Sequence, residues 1–178
     1  MKLSIVIVTH NSEKFLLNCL KSIYKSIDNK SNFEIIIFDN NSKNNYLDLN
    51  FNNLKIIKNR INVGLAKALN TVIPLCKHEV ILSLNPDTLL KKNTIKKLYN
   101  YYTKNKNIGV AGCRVEDFNG KYQLYSRRRF PSFIITLKYF LKLHYLGFSN
   151  YYNYSNVKNN SNQYVDSISG CCMMFSKK

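Results

Sequence analysis

A polar tripeptide, Asn85-Pro86-Asp87, follows directly on the apolar run of residues 80–84. The run predicts a buried strand, and an aspartate at its tip needs an explanation because only 10 of the 178 residues are Asp or Glu. A carboxylate in this position is typical of sites for Mg²⁺ or Mn²⁺, which take one or two carboxylates together with phosphate oxygens and water. The alternative is that Asp87 or Thr88 caps the start of a helix, and both roles can hold together. Asp87 is the best candidate for a metal ligand.

A second aspartate, Asp39, ends another apolar run and opens the polar stretch 39–42. A carboxylate at a strand tip can accept hydrogen bonds from a ring N–H or from ribose hydroxyls. Asp-Asn-Asn-Ser sequences also cap their own turns. The residues by themselves favour neither interpretation over the other.

The tripeptide Asn62-Val63-Gly64 precedes a segment with helical spacing. Glycine allows the backbone to approach a ligand closely, and a helix N-terminus favours negative charge. The sequence contains neither a G-x-x-x-x-G-K-[ST] phosphate loop nor a G-x-G-x-x-G dinucleotide fingerprint. ATPase and dehydrogenase functions therefore lose support.

Strands and helices alternate along the first two thirds of the chain. The predicted strands cover residues 3–8, 33–38, 54–58, 80–84 and 108–113, and the predicted helices follow residues 12, 64 and 90. This alternation predicts an α/β fold with a parallel sheet and helices on both faces. Ligands bind beyond the carboxyl ends of strands in such sheets, so we expect the polar clusters 9–12, 39–42, 59–62 and 85–87 to share one edge.

The pattern changes after Cys113. Residues 114–125 predict a hairpin with Asn119-Gly120 as its turn, and residues 164–175 predict further strand. Between them, residues 127–148 are apolar and basic and predict an amphipathic helix, whereas residues 150–163 predict a loop.

The net charge of +17 favours anionic partners, which include nucleotide diphosphates, acidic lipid headgroups and nucleic acid. With 13 tyrosines, a nucleic-acid-binding module is an alternative function. The chain contains no RNP, KH-type or zinc-finger pattern, which makes nucleic acid the weaker choice. Five cysteines without a C-x-x-C pair argue against a metal cluster and a disulfide framework, and fit a reducing cytoplasm.

Taken in order, five stretches of the chain resemble the family 2 glycosyltransferases of the GT-A fold. The branch resembled is that of bacterial rhamnosyltransferase-like enzymes. The stretches are SIVIVTHNS at 4–12, IIIFDNNS at 35–42, NVGLAKALN at 62–70, LSLNPD at 82–87 and VDSISGCCMM at 165–174. The resemblance implies one GT-A (Rossmann-like) domain over residues 1–178, with a mostly parallel sheet. Residues 1–113 would form its nucleotide-sugar-binding half, and residues 114–178 part of its acceptor side.

The resemblance also implies a function and a set of site residues. A sugar would pass from a UDP- or dTDP-sugar to a saccharide or lipid-linked acceptor in cell-surface polysaccharide synthesis, with inversion and with Mg²⁺ or Mn²⁺. Asp87 would be the metal ligand, in a tripeptide that stands in for the family's Asp-x-Asp motif. The residues implied in donor binding are Thr9, Asn11, Asp39, Asn62, Gly64 and Asn85.

The family's catalytic base lies in an acidic motif after the stretch 165–174. The chain ends at Lys178, so we expect a C-terminally truncated enzyme that binds donor with little transfer, and Asp166 is the nearest candidate base within the chain. A cytoplasmic protein is implied, with residues 127–148 touching the inner face of the membrane or packing against another part of the protein. A non-catalytic, membrane-associated remnant is the remaining alternative.

Overall fold

The computed structural model describes residues 1–27, 32–43, 49–130, 132–133, 137, 140–141, 151–154 and 161–178. The strands are β1 (Lys2–Thr9), β2 (Asn32–Asn40), β3 (Leu54–Asn59), β4 (Val80–Leu84), β5 (Val110–Gly112), β6 (Arg127–Arg128), β7 (Ser167–Ile168) and β8 (Cys172–Ser176). The α-helices are α1 (Glu13–Ser26), α2 (Leu65–Val72) and α3 (Thr94–Lys104), and short 3-10 turns cover Ile73–Leu75, Leu124–Ser126 and Tyr151–Asn153. The chain forms two compact units, one of Met1–Cys113 with Gly170–Lys178 and one of Arg114–Ser169.

The first unit is built on a six-stranded sheet in the order β3-β2-β1-β4-β8-β5. Strands β1 to β4 run parallel to one another, whereas β8 pairs antiparallel with both β4 and β5. The predicted α/β class with a mostly parallel sheet is confirmed. The apolar strand β8 lies between β4 and β5, which are successive strands in the sequence, and it forms backbone hydrogen bonds with both.

Helices cover both faces of this sheet because the strand side chains alternate. Leu3, Ile5 and Ile7 of β1 are fully buried in one core layer, which α1 and α3 complete. Val6 of the same strand faces the opposite layer, which α2 completes with Ala68 and others. Strands buried on both faces are continuous apolar runs, and this explains the sequence of β1 and β2.

The register of the sheet brings the polar strand ends level with one another. Thr9 at the end of β1 pairs with Asp39 of β2, and Asn40 pairs with Asn59 at the end of β3. Strand β4 runs parallel beside β1, with Ser83 opposite Val6. The polar clusters that follow β1, β2, β3 and β4 therefore lie at one edge of the sheet, as the alternation of elements predicted.

Helix α3 begins at Thr94, later than the predicted start at Lys91. Asn93 adopts φ 64°, ψ 9°, which is left-handed and incompatible with a continuing right-handed helix. The backbone N–H of Thr94 donates to the carbonyl of Lys91 (3.1 Å) and closes a turn instead.

The second unit contains a short hairpin and a two-residue ladder. Glu116 forms a single antiparallel bridge with Tyr122, and the carboxylate of Asp117 accepts the backbone N–H of Lys121 (2.8 Å) inside the turn. Gly120 has φ +77°, which confirms the turn predicted at Asn119-Gly120. Strands β6 and β7 pair antiparallel.

The amphipathic helix predicted over 127–148 is wrong at its start, because Arg127–Arg128 form strand β6. Most of the remaining residues of that segment lie outside the described part of the chain, so the helix there stays a prediction. The same holds for much of the loop predicted over 150–163. Within the part of the chain that the structure describes, no helix has the length and apolar character needed to cross a membrane.

Candidate functional site

Three polar side chains are buried at the carboxyl ends of β1 and β2. Thr9, Asp39 and Asn40 are only 1%, 4% and 3% exposed. Burying polar groups is costly unless they are hydrogen-bonded. The Asp39 Oδ1 atom accepts the backbone N–H of Ser42 (2.9 Å), so the turn-capping interpretation of this residue is confirmed. A cap of this kind uses one carboxylate oxygen and does not exclude a ligand on the other.

Asn11 joins the loop after β1 to the loop after β2. Its backbone has φ 52°, in the left-handed region. Its backbone N–H donates to Ser42 Oγ (2.9 Å), and its side-chain oxygen accepts the backbone N–H of Lys43 (2.9 Å). Asn11 therefore shapes the rim of the site, whatever it contributes to a ligand.

His10 completes this junction. Its Nδ1 atom lies 2.9 Å from the backbone carbonyl of Asn40, and its Nε2 atom lies 3.1 Å from the side-chain nitrogen of Asn11. The carbonyl can only accept and the amide nitrogen can only donate, so the neutral imidazole carries its proton on Nδ1.

Asn40 is a residue at this edge whose individual role the sequence analysis did not predict. Its Nδ2 donates to Asn62 Oδ1 (2.8 Å), and its Oδ1 accepts the backbone N–H of Val63 (3.0 Å). The strand alternation contained the signal, because Asn40 lies on the same face of β2 as Ile36 and Phe38, which pack against α2. The loop before α2 is thereby tied to the end of β2.

Gly64 stands at the N-terminus of α2 in a conformation that favours glycine. It has φ 78° and ψ 164°, a region almost restricted to glycine. Its N–H donates to Asn62 Oδ1 (3.0 Å). The same oxygen also accepts the hydrogen bond from Asn40 Nδ2. A side chain at Gly64 would project into open space. Its cost would therefore come from the strained backbone conformation and not from a steric clash.

We therefore expect Gly64→Ala to lower the free energy of unfolding by about 1–2 kcal/mol, the cost of holding an L-residue at positive φ. Chemical denaturation measures this loss. Gly109→Ala is the matched control, because an added Cβ there also meets no atom within 4 Å and its φ is not positive. Equal stability of the two variants would contradict the strain argument.

Three hydrogen bonds stabilise the turn Asn85–Thr88. The backbone N–H of Asn85 donates to the carbonyl of Cys171 (2.9 Å), and the Thr88 N–H donates back to the carbonyl of Asn85 (3.2 Å). The Cys19 thiol donates to that same Asn85 carbonyl (3.6 Å). Helix α3 begins only at Thr94, so the interpretation of Asp87 or Thr88 as a helix cap is wrong.

The Asp87 side chain is exposed at the tip of β4. Burial of Cys19, together with the negative charge of Asp87, raises the pKa of the Cys19 thiol to about 12. Cys19 therefore remains a neutral hydrogen-bond donor at neutral pH.

The family model for Glycosyl transferase family 2 matches residues 4–178. The chain belongs to this family. A similar protein is the poly(ribitol-phosphate) beta-glucosyltransferase of Bacillus spizizenii, which is 30% identical over 128 residues, covering 68% of this chain and 20% of the relative.

The fold is also similar to that of solved structures. The crystal structure of Staphylococcus aureus TarS 1-349 matches with a TM-score of 0.61 at 26% identity, covering 76% of this chain and 44% of TarS 1-349. Its complex with UDP-GlcNAc matches with a TM-score of 0.60 at 25% identity, covering 76% of this chain and 42% of that one. This chain thus spans less than half the length of the relatives it matches.

In this family 2 chain, the residues predicted for donor binding fall into two adjoining groups. Thr9, Asn11, Asp39, Asn62 and Gly64 belong to the interlinked ends of β1, β2 and the loop before α2. The turn that contains the remaining donor residue and the metal candidate ends β4, the neighbour of β1 in the sheet.

The metal-ligating side chains of the described residues suit a cation that a bound ligand also helps to coordinate. Among the described residues no group of three His, Cys, Asp or Glu side chains could hold a metal. A closed protein cage is therefore absent from that part of the chain. One carboxylate, Asp87, fits the habit of Mg²⁺ and Mn²⁺ of binding one or two carboxylates and completing their shell with phosphate oxygens and water.

Asp166, the candidate base, belongs to the second unit. Its Oδ2 atom accepts the backbone N–H of Phe130 (3.1 Å), and its own N–H donates to the hydroxyl of Tyr154 (3.3 Å). These bonds anchor the segment before β7 within that unit. A catalytic role for Asp166 stays a prediction.

Proposed function

We propose that this chain is the donor-binding part of a glycosyltransferase that transfers a sugar, with inversion, from a nucleotide-diphosphate donor. The acceptor is a saccharide or a lipid-linked saccharide in cell-surface polysaccharide synthesis. The observation that carries the proposal is the buried, hydrogen-bonded cluster at the carboxyl ends of β1 and β2, built around Asp39 and Asn40. Open α/β sheets bind their ligands at this edge.

In this proposal the nucleoside lies against Thr9, Asn11 and Asp39. The Asp39 carboxylate accepts hydrogen bonds from the base N–H or from ribose hydroxyls, which only a charged or polar acceptor can receive. The diphosphate extends towards Asn62 and Gly64, where a helix N-terminus and a glycine backbone favour a close anion.

We further propose that Asp87 holds Mg²⁺ or Mn²⁺, with Asn85 beside the donor. When bound, the cation would neutralise charge on the departing diphosphate as a Lewis acid. The exposed carboxylate of Asp87, above the neutral thiol of Cys19, is the feature that supports this assignment. Deprotonation of the acceptor hydroxyl needs a general base, and Asp166 is only the nearest candidate for that role within this chain.

The names of two similar proteins support one class of donor. One is named as a beta-glucosyltransferase and another structure contains UDP-GlcNAc. We therefore propose a UDP-hexose or UDP-N-acetylhexosamine ahead of the dTDP-rhamnose that a rhamnosyltransferase-like branch would use. The proposed location is the cytoplasmic face of the membrane, where Phe130 and Phe133, largely exposed beside the basic residues 127–129, would contact lipid.

Isothermal titration tests this proposal with UDP, dTDP and polyuridylate as separate ligands. We expect saturable binding of UDP to residues 1–178, tightened by Mn²⁺ and weaker for dTDP. Binding of polyuridylate alone, with an affinity that falls steeply as salt rises, would replace the proposal by the nucleic-acid-binding function. Preference for dTDP would instead restore the rhamnosyltransferase-like assignment.

A further inference from the structure

Two cysteines face each other across the β5–β8 pair. Gly112 is the register partner of Met173 in this antiparallel pair, so the next positions along, Cys113 and Cys172, also lie opposite one another. The Cys172 thiol points at the sulfur of Cys113 with an Sγ–Sγ distance of 3.7 Å. All five cysteines of the chain are thiols in this structure.

We propose that Cys113 and Cys172 are an oxidation site that forms a reversible disulfide. A disulfide needs an S–S distance of about 2.0 Å. The two sulfurs, now 3.7 Å apart, must therefore move closer together before the bond can form. Rotation of the two side chains at the open end of the ladder can supply this, since Cys113 lies one residue beyond the last paired residue of β5.

The two sulfurs differ in a way that suits a two-step oxidation. Cys172 is 4% exposed, whereas Cys113 is partly exposed. The hydrogen bond from the Cys172 thiol lowers the pKa of Cys113. That same hydrogen bond, and secondarily burial, raise the pKa of Cys172. Cys113 is thus the more accessible and more nucleophilic member of the pair.

Hydrogen peroxide is the oxidant in this scheme. The Cys113 thiolate attacks one peroxide oxygen, hydroxide leaves, and Cys113 becomes a sulfenic acid. The Cys172 sulfur then attacks the Cys113 sulfur, forming the S–S bond and releasing water. In total two thiols are oxidised, and one peroxide is reduced to two water molecules.

The position of this pair connects it with the Asn85 turn. Cys172 is the register partner of Leu84, the last residue of β4. The preceding residue, Cys171, accepts the backbone N–H of Asn85 (2.9 Å) and the hydroxyl of Thr88 (3.4 Å) through its carbonyl. Drawing Cys172 towards β5 therefore shifts the backbone that holds this turn, and we expect weaker UDP binding in the oxidised protein. This second consequence rests on the proposed function, whereas disulfide formation does not.

Peptide mapping after peroxide treatment of the full chain tests the disulfide. Trypsin releases Cys113 in residues 107–114 and Cys172 in residues 159–177. We expect these two peptides to become joined with the loss of two hydrogen atoms, two of the five thiols to disappear, and dithiothreitol to restore both.

Four variants assign the bond. Cys113→Ser and Cys172→Ser should abolish the cross-link, whereas Cys171→Ser and Cys76→Ser should retain it. Cys171 shares a tryptic peptide with Cys172, and Cys76 is buried in the other core layer. Alanine replaces serine in any variant that does not fold, because it buries no polar group. A cross-link that survives Cys172→Ser, or oxidation of single thiols without any cross-link, would overturn the proposal.

UDP titration of the oxidised protein separates the two consequences. Weaker UDP binding in the wild-type chain, absent from peroxide-treated Cys113→Ser, supports coupling to the Asn85 turn. A cross-link that forms without changing the UDP affinity would overturn the coupling and leave the disulfide. If the reduced protein does not bind UDP at all, the proposed function fails while the peptide map still decides the disulfide.

Discussion

Asp87→Ala is expected to abolish the Mn²⁺-dependent part of UDP binding. The variant removes the single carboxylate at the tip of β4, so a cation there would keep only phosphate and water ligands. We expect UDP affinity in the presence of Mn²⁺ to fall roughly 100-fold, which corresponds to about 2.7 kcal/mol. In the absence of metal the variant should bind UDP as well as the wild type does. Titration calorimetry with and without Mn²⁺ measures both quantities.

The matched control for this experiment is Asp117→Asn. It also removes one negative charge, and an asparagine oxygen can still accept the backbone N–H of Lys121 that closes the turn. This control should retain the full Mn²⁺ effect. An Asp87→Ala protein whose UDP affinity still rises with Mn²⁺ as in the wild type would remove Asp87 from the metal site.

Asp39→Asn separates the two roles that the sequence left open for Asp39. Asparagine retains an oxygen that can accept the Ser42 N–H, so the turn and the free energy of unfolding should change little. The charge that strengthens hydrogen bonds to a nucleoside is lost, and such bonds contribute about 1.5–3 kcal/mol. We therefore expect UDP binding to weaken roughly 10- to 100-fold, whereas Asp39→Ala should lose stability as well as binding.

Glu34→Gln is the control on the same strand. Glu34 is a buried carboxylate near the amino end of β2, where it accepts the hydroxyl of Ser4 (2.6 Å). Its neutralisation should leave UDP affinity unchanged, whatever it does to stability. If Asp39→Asn binds UDP as tightly as the wild type, the carboxylate is only a turn cap. Calorimetry and chemical denaturation together distinguish these outcomes.

The hydrogen bonds of Asn40 could not be predicted from the sequence. A carboxylate at a strand tip, such as Asp39, stands out in a sequence, whereas its neighbour Asn40 is one of many asparagines in this chain. Only the packed structure shows that Asn40 bonds both Asn62 and Val63. Those partners are more than twenty residues away, and side-chain pairing over such a separation depends on how β2 and α2 pack.

Helix α3 is an example at the local level. The apolar spacing over residues 91–102 predicted a helix with the buried face and about the length that α3 has, but the first predicted turn is not helical. Asn93 adopts a left-handed conformation, which asparagine tolerates better than most residues. Periodicity reports which face of a segment is buried and is insensitive to the conformation of one exposed residue.

The sequence by itself determined the parallel core of this protein and the position of its polar edge. The reason is local, because continuous apolar runs ending in polar clusters specify buried strands and the ends at which ligands bind. Tertiary structure alone decided that β8 lies between β4 and β5. Antiparallel pairing depends on contacts between segments far apart in the chain, and no local pattern encodes them. That pairing also brings Cys172 opposite Cys113 and the Cys171 carbonyl to the Asn85 turn, so Asn85-Pro86-Asp87 is positioned by residues that lie more than eighty positions further along the chain.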